Sequence, residues 1–518
     1  MQFNTSRILL RTLLFVLLNF YSAVAFNKTV VNNPTKIELA SLFQNHMVLQ
    51  RDAKIPVWGK GEPGTKITVQ FANTTKKTTV DKNGKWQVKL PSLKASFESR
   101  TMTISSAKET IEITDVVVGE VWICSGQSNM QFHVNSVPEL KKLIPSAKNI
   151  RSFQVKNTVA FTPQDTCEGT WKTENPSSAV AFSFAYFLED AIDTPIGIIQ
   201  TSWGSSSLEA WMPRELTAKV PHFKTMMEEF DADTTTQNKI KTILEGPKPW
   251  TRNDDVFLRR QSNILYNAMM HPLIPYACRG LVWYQGERNT QSMQGMVEKP
   301  WFSRNSGMLK YSSSLQQWIH NYRDSWNQKD MDFLIVMLPG YGQILKDSPV
   351  KEMNHPNAHS WAWMRESQLK ALEIPHTSVA NTIDLGDVKN IHPKDKLPVG
   401  QRLALLAQRD ALDLKVKASG PVFKKAKIKN NTITICFDEA KTLKTTDGKA
   451  PREFWLADDS KKWVQANAEI KGETIVLSSS KLKNPKYVRY AFTGKPNVNL
   501  VNEIDLPAYP FRTDNFKP

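Results

Sequence analysis

The chain has 518 residues and a mass of 58.9 kDa, too long for one ordinary domain, and its 40% hydrophobic content with 15 Trp and 24 Phe supplies more than one packed core. A formal charge of +17 invites a nucleic-acid partner, but Lys and Arg are dispersed and no zinc-finger, RRM-like or helix-turn-helix pattern occurs, which argues against that class. Past the N-terminus no stretch is apolar enough to span a bilayer, and Cys124, Cys167, Cys278 and Cys436 lack metal-ligand spacing.

Residues 1–25 read as a secretory signal: Arg7 and Arg11 precede an apolar run over 13–20, and Ala23-Val-Ala25 is a small-residue cleavage site. This predicts export to a periplasmic or extracellular space, where one disulfide is permitted. Residues 36–112 hold short alternating runs punctuated by turns, with Asn83-Gly84 as the strongest hairpin signal, and predict a β-sandwich-like domain. From 113 to 415 the pattern changes. Strands are expected at 116–124, 196–201, 280–284, 333–338 and 378–384, and helices at 181–192, 258–270, 313–324, 361–372 and 399–412. Such alternation predicts an α/β domain with a parallel sheet covered by helices on both faces. The polar stretch 213–253 reads as an insertion that walls or covers a site. After Ala418-Ser-Gly-Pro, residues 416–518 return to β character, with strands expected at 426–429, 432–437, 474–477 and 487–491.

Ligands gather at the carboxyl ends of strands in α/β sheets, and several strand ends here are rich in polar residues. The first carries Ser125-Gly-Gln-Ser128-Asn-Met, the second Gln200-Thr-Ser-Trp-Gly204-Ser-Ser-Ser-Leu-Glu209-Ala-Trp211 and the third Trp283-Tyr-Gln285-Gly-Glu287-Arg-Asn289. The fifth carries Asp384-Leu-Gly-Asp387, followed by Ile391-His392-Pro. A serine hydroxyl is a weak nucleophile until a base and oxyanion donors surround it. A strand-to-helix corner at Ser128 supplies donors, because the first N–H groups of a helix have no internal partner; the competing role for Ser128 is a helix N-cap. The other histidines lack the strand-end setting of His392. His355 and His359 have i,i+4 spacing, but Pro356 makes their segment a loop, which argues against a metal site.

Five segments taken in order resemble the sialate O-acetylesterases, a branch of the SGNH (GDSL-like) hydrolase superfamily. They are Leu42-Phe-Gln-Asn-His-Met-Val-Leu-Gln-Arg-Asp52, Gly126-Gln-Ser-Asn-Met130, Ser202-Trp-Gly with Leu208-Glu-Ala-Trp-Met212, Val282-Trp-Tyr-Gln-Gly-Glu287, and Trp363-Met-Arg-Glu-Ser-Gln368 with Ile391-His-Pro-Lys-Asp-Lys396. The resemblance implies a three-layer α/β/α flavodoxin-like hydrolase domain and a cofactor-free deacetylation of O-acetylated sugars, sialic acids first. It implies Ser128 as nucleophile and His392 as base, with the N–H groups of Ser128 and Gly204 and the Asn289 amide as oxyanion donors. Glu287, Asp384 and Asp387 compete to orient His392, Glu287 slightly ahead of Asp387. Gln127, Gln285, Glu209 and Trp211 are the expected substrate contacts, with Tyr284 and Trp363 as further aromatic candidates. The chain departs from the family pattern at Lys389, where an aspartate is common, at Ser205, where a second glycine is common, and at Arg288, which replaces a small residue. An esterase for acetylated xylan or another polysaccharide, and a non-catalytic glycan-binding protein, stay open as alternatives.

Overall fold

The structure, a computed structural model, describes residues 36–290, 308–342, 355–356 and 360–516; the expected signal segment and His359 lie outside them. Its central sheet contains β1 (Thr110–Gly126), β2 (Ile150–Gln154), β3 (Trp171–Lys172), β4 (Ile196–Ser202), β5 (Gly280–Tyr284), β6 (Asp332–Val336) and β7 (Thr377–Ala380). The order is β3-β2-β4-β1-β5-β6-β7, parallel throughout except between β3 and β2. After β1 the chain builds one side of the sheet as far as β4, then crosses to build the other from β5. The carboxyl end of β1 is therefore a topological switch point, the place where such sheets open a crevice.

β1 has 17 residues and every one from Val116 to Gly126 is buried, because helices or loops cover both faces of that half. Its first half pairs antiparallel with Ser96–Ser105, and Val48–Gln50 pairs parallel with its middle. One strand thus joins the N-terminal β region to the α/β sheet, and position 112 falls inside it. A three-stranded sheet built on Ile55–Lys60 completes the N-terminal region. Most buried apolar residues from Ile37 to Ala508 form one continuous core, with Trp455, Ala457 and Trp463 in a small separate cluster, so the N-terminal, central and C-terminal parts are packed together.

The helices that bear on the site are α1 (Ser128–Gln131), α2 (Ala179–Ile192), α3 (Tyr311–Trp326), α4 (Ser360–Leu369) and α5 (Lys396–Leu406). α5 lies close against α2: a Cβ on Gly400 would meet the Ser183 side chain at 2.3 Å, and Ser183 Oγ donates to the Leu397 carbonyl at 2.8 Å. The expected helix over 258–270 is instead broken into Arg252–Leu258 and a π-helical turn at Tyr266–Met270. Asn263 sits between them with φ 66°, and its amide donates to the Met212 carbonyl, while Asn267 donates to Ala160 and Phe161. Side-chain bonds to backbone distant in sequence take the place of helix continuation here. The insertion forms helices Pro221–Ala232 and Thr234–Glu245, and its Trp250 stacks on Trp203 with centroids 6.1 Å apart.

The C-terminal part holds two four-stranded antiparallel sheets. One pairs Val422–Lys429, Thr432–Asp438, Thr474–Ser478 and Asn467–Lys471; the other pairs Val464–Gln465, Phe454–Ala457, Tyr487–Tyr490 and Phe511–Arg512. Arg365 of α4 ties this part down by donating to the Thr493 carbonyl at 2.8 Å and to the Gly494 carbonyl. All four cysteines are free. Among the described residues no helix is long and apolar enough to cross a membrane.

Candidate active site

Gly126 ends β1 with φ 139°, and a Cβ there would lie 2.1 Å from the Tyr284 carbonyl oxygen, so glycine is required. Its own carbonyl accepts from the Trp203 N–H at 3.1 Å, and the Gln127 N–H donates to the Tyr284 carbonyl at 3.0 Å. These bonds fasten the corner to the ends of β4 and β5 before the chain turns into α1. Gln127 occupies the N-cap position and makes no side-chain capping bond. Ser128 is the first helical residue, half-buried, and its hydroxyl meets His392 Nε2 at 2.8 Å. The hydroxyl is engaged with an imidazole nitrogen, not with the helix end.

His392 sits in the loop between β7 and α5, which is stiffened by short local bonds. Asp387 Oδ1 accepts from the N–H groups of Lys389 and Asn390 at 2.7 Å each, Asn390 Oδ1 accepts from the His392 N–H at 2.9 Å, and Asp395 accepts from Gly386 at 2.9 Å. Asp387 is exposed and turned to this backbone; Asp384 holds Arg402 through two bonds of 2.7 Å. Glu287 is buried and accepts from the Asn129 amide, which also donates to the Ile391 carbonyl at 3.0 Å. Among the described residues no carboxylate oxygen lies within 4.0 Å of a ring nitrogen of His392. Of the three acids expected from the sequence, Asp384 and Asp387 lie in the histidine loop but are bonded to Arg402 and to loop backbone, while Glu287 reaches that loop from the end of β5 through Asn129. Burial, and then the charge of Lys396, hold His392 below the ordinary imidazole range.

Gly204 borders Ser128: a Cβ there would approach Ser128 Cβ to 3.2 Å, and its N–H donates to Gln131 Oε1 at 3.0 Å. Ser205, next in the chain, is in the left-handed region at φ 61°. Asn289 is buried, its amide donating to Glu209 at 2.9 and 3.2 Å while its oxygen accepts from Leu208 N–H at 3.0 Å and Gln285 Nε2 at 2.8 Å. Gln285 Nε2 also lies 3.1 Å from Gln127 Oε1, which accepts from the Arg288 N–H at 3.1 Å. Burial pushes the Glu209 carboxyl up, but His222 and Asn289 outweigh it and hold the group below its usual range.

Gln127, Gln285, Glu209 and Asn289 thus form one buried polar web that ties three strand ends together. In this conformation their polar groups face each other. Trp211 is wholly buried, donating to Ser206 Oγ at 3.0 Å and standing edge-on to Trp283, so the expected sugar-stacking face is covered by packing. Tyr284 and Trp363 are buried as well. Sequence reasoning missed Asn129, Gln131, His222 and Lys396. Two of them had a signal: Asn129 adjoins Ser128, and Lys396 lies four positions beyond His392 at the start of α5.

The model of the family described as "Carbohydrate esterase, sialic acid-specific acetylesterase" matches residues 118–245 and 248–408. The chain is 27% identical over 509 residues to the sialate O-acetylesterase of Rattus norvegicus, covering 88% of this chain and 90% of that one. It is 26% identical over 498 residues to the sialate O-acetylesterase of Homo sapiens, covering 88% of each. A solved carbohydrate acetylesterase from Xanthomonas citri superposes with a TM-score of 0.77 at 29% identity, covering 93% of this chain and all of the other. The strand-end site and the family match fall on the same stretch of sequence, and the chain belongs to the sialic acid-specific acetylesterase family of carbohydrate esterases, as a carboxylic ester hydrolase.

Proposed function

We propose that this protein is an exported serine esterase that removes O-acetyl groups from sialic acids through an acetyl-enzyme. The observation that carries the reading is the 2.8 Å contact between Ser128 Oγ and His392 Nε2 at the topological switch of the sheet. Ser128 Oγ attacks the acetyl carbonyl carbon while His392 takes the hydroxyl proton. The same proton passes from His392 to the sugar oxygen as the C–O bond breaks. Water then repeats the cycle on the acetyl-serine, releasing acetate. The N–H groups of Ser128 and Gly204 are the donors offered to the oxyanion, each worth roughly 3 kcal/mol in a formed site; Gly204 must release Gln131 Oε1 to serve. Asn289 joins them only if its amide turns from Glu209. No cofactor enters this chemistry.

The substrate reading rests on the curated relatives' names, and export rests on the basic-apolar-small pattern of residues 1–25. The catalytic part is read as a three-layer SGNH domain spanning 113–415, flanked by β-rich parts at 36–112 and 416–518. A second substrate class, acetylated xylan or another polysaccharide, is compatible with the Xanthomonas citri neighbour, which is named only as a carbohydrate acetylesterase. Acetate release from O-acetylated sialic acid and from acetylated xylan, by the parent and Ser128→Ala, separates the readings. Sialate deacetylation lost in the variant supports the first; release from xylan alone supports the second. Full activity in Ser128→Ala would overturn the mechanism.

A further inference from the structure

The carboxylates that the sequence offers to His392 are engaged elsewhere, while a cation four positions along the chain is buried beside it. Lys396 opens α5 and is 0% exposed. Taking an ammonium out of water costs several kcal/mol unless partners compensate. Its Nζ donates to Asn129 Oδ1 at 2.6 Å and stands over the rings of Phe132 and Tyr284, 5.2 and 5.4 Å from their centroids. Asn129 uses its other end on Glu287 Oε1 and on the Ile391 carbonyl. One amide, adjoining the nucleophile, therefore joins a buried cation, a buried carboxylate and the backbone of the residue before the base. Glu287 Oε2 has no hydrogen-bond partner, so nothing else in the described structure satisfies that end of the chain of contacts.

We propose that Lys396 is a positioning residue: through Asn129 it fixes the Ile391–His392 backbone against α1, and its ammonium, not a carboxylate, sets the electrostatic environment of the imidazole. This rests on the Ser128–His392 reading above. A carboxylate beside a histidine stabilises imidazolium and raises its proton affinity; a cation does the reverse. The groups facing Lys396 are Glu287 after β5, Tyr284 at the end of β5, Asp395 before α5 and His392 in the loop. Burial brings Lys396 down to about 7 against the opposing pull of Glu287 and Asp395, and burial raises Glu287. The arrangement keeps the base unprotonated in mildly acidic surroundings and fixes its position without a third acid in contact.

The test is the pH profile of kcat/KM on a chromogenic acetate ester for the parent, Ser128→Ala, Lys396→Met and Lys396→Arg, with folding checked by circular dichroism. In Lys396→Met the acid limb should move to higher pH by about half a unit or more, since removing the cation restores proton affinity to His392, and kcat should fall at least about tenfold. Lys396→Arg should leave the acid limb where the parent has it. Lys396→Gln, which retains a donor for Asn129, replaces the Met variant should that one fail to fold. An unmoved acid limb in the uncharged variant, or equal displacement in the Arg variant, overturns the role of Lys396. Activity that survives in Ser128→Ala overturns the underlying site instead, so the two failures are distinguishable.

Discussion

Ser128 and His392 lie 264 positions apart in the chain, yet Oγ and Nε2 are 2.8 Å apart. The sheet brings them together. β1 delivers Ser128 at its carboxyl end, and the chain returns to that end through the loop that follows β7. If the two groups act on one proton, as proposed, Ser128→Ala and His392→Ala should each lower kcat/KM on the order of 10⁴-fold, and the double variant should be no worse than either alone. Chromogenic ester hydrolysis on the three purified variants checks this. Additive losses would mean that the two side chains do not form one catalytic unit.

The pH dependence has a definite sign. A base must be unprotonated to accept the Ser128 proton, and His392 is held below its ordinary value of 6.5 by burial and by Lys396. Its neutral form therefore persists to lower pH than that of a free imidazole, and the acid limb of kcat/KM should inflect below 6.5. An inflection above that value would mean that a carboxylate reaches the ring in the free enzyme.

The three candidate acids should separate by where their oxygens point. Asp387→Asn removes charge from an exposed group that serves loop N–H donors, and should change kcat by less than about threefold. Asp384→Asn weakens the fork to Arg402 and should act on stability, by about 1–2 kcal/mol in a denaturant titration. Glu287→Gln alters the buried contact with Asn129, which also holds the Ile391 carbonyl, and should lower kcat more than Asp387→Asn does. A loss in Asp387→Asn as deep as that in Ser128→Ala would place the acid at 387 and require the loop to rearrange.

The sequence was legible where periodicity and strand-end chemistry agree. β5 spans Gly280–Tyr284, the same bounds that its apolar run suggested, and Ser128, Gly204 and His392 lie together at the strand ends. Short pieces were lost. β2 at Ile150–Gln154 alternates too briefly to stand out between polar segments, and the break at Asn263 depends on side-chain bonds to a distant backbone. The surroundings of Gln127, Gln285, Glu209 and Trp211 were illegible for a different reason. A polar or aromatic residue at a strand end reads as a substrate contact until its partners are known, and here the partners are one another and the core. Lys396 escaped because lysine is so rarely buried that its position in α5 reads as a solvated helix start.

Ser205 gives the last prediction. It follows Gly204, and its φ of 61° is left-handed, which costs a residue with a Cβ about 1–2 kcal/mol. Its hydroxyl makes no hydrogen bond among the described residues, so no local contact repays that strain. Ser205→Gly relieves it but adds conformational freedom to the unfolded chain, which returns part of the gain. The net expectation is a stabilisation of about 0.5–1 kcal/mol, visible as a higher denaturant midpoint with an unchanged m-value. A lower midpoint would mean that the serine side chain holds the corner in place. The Gly204 N–H would then owe its position beside Ser128 to a hydroxyl contact instead of to the left-handed turn alone.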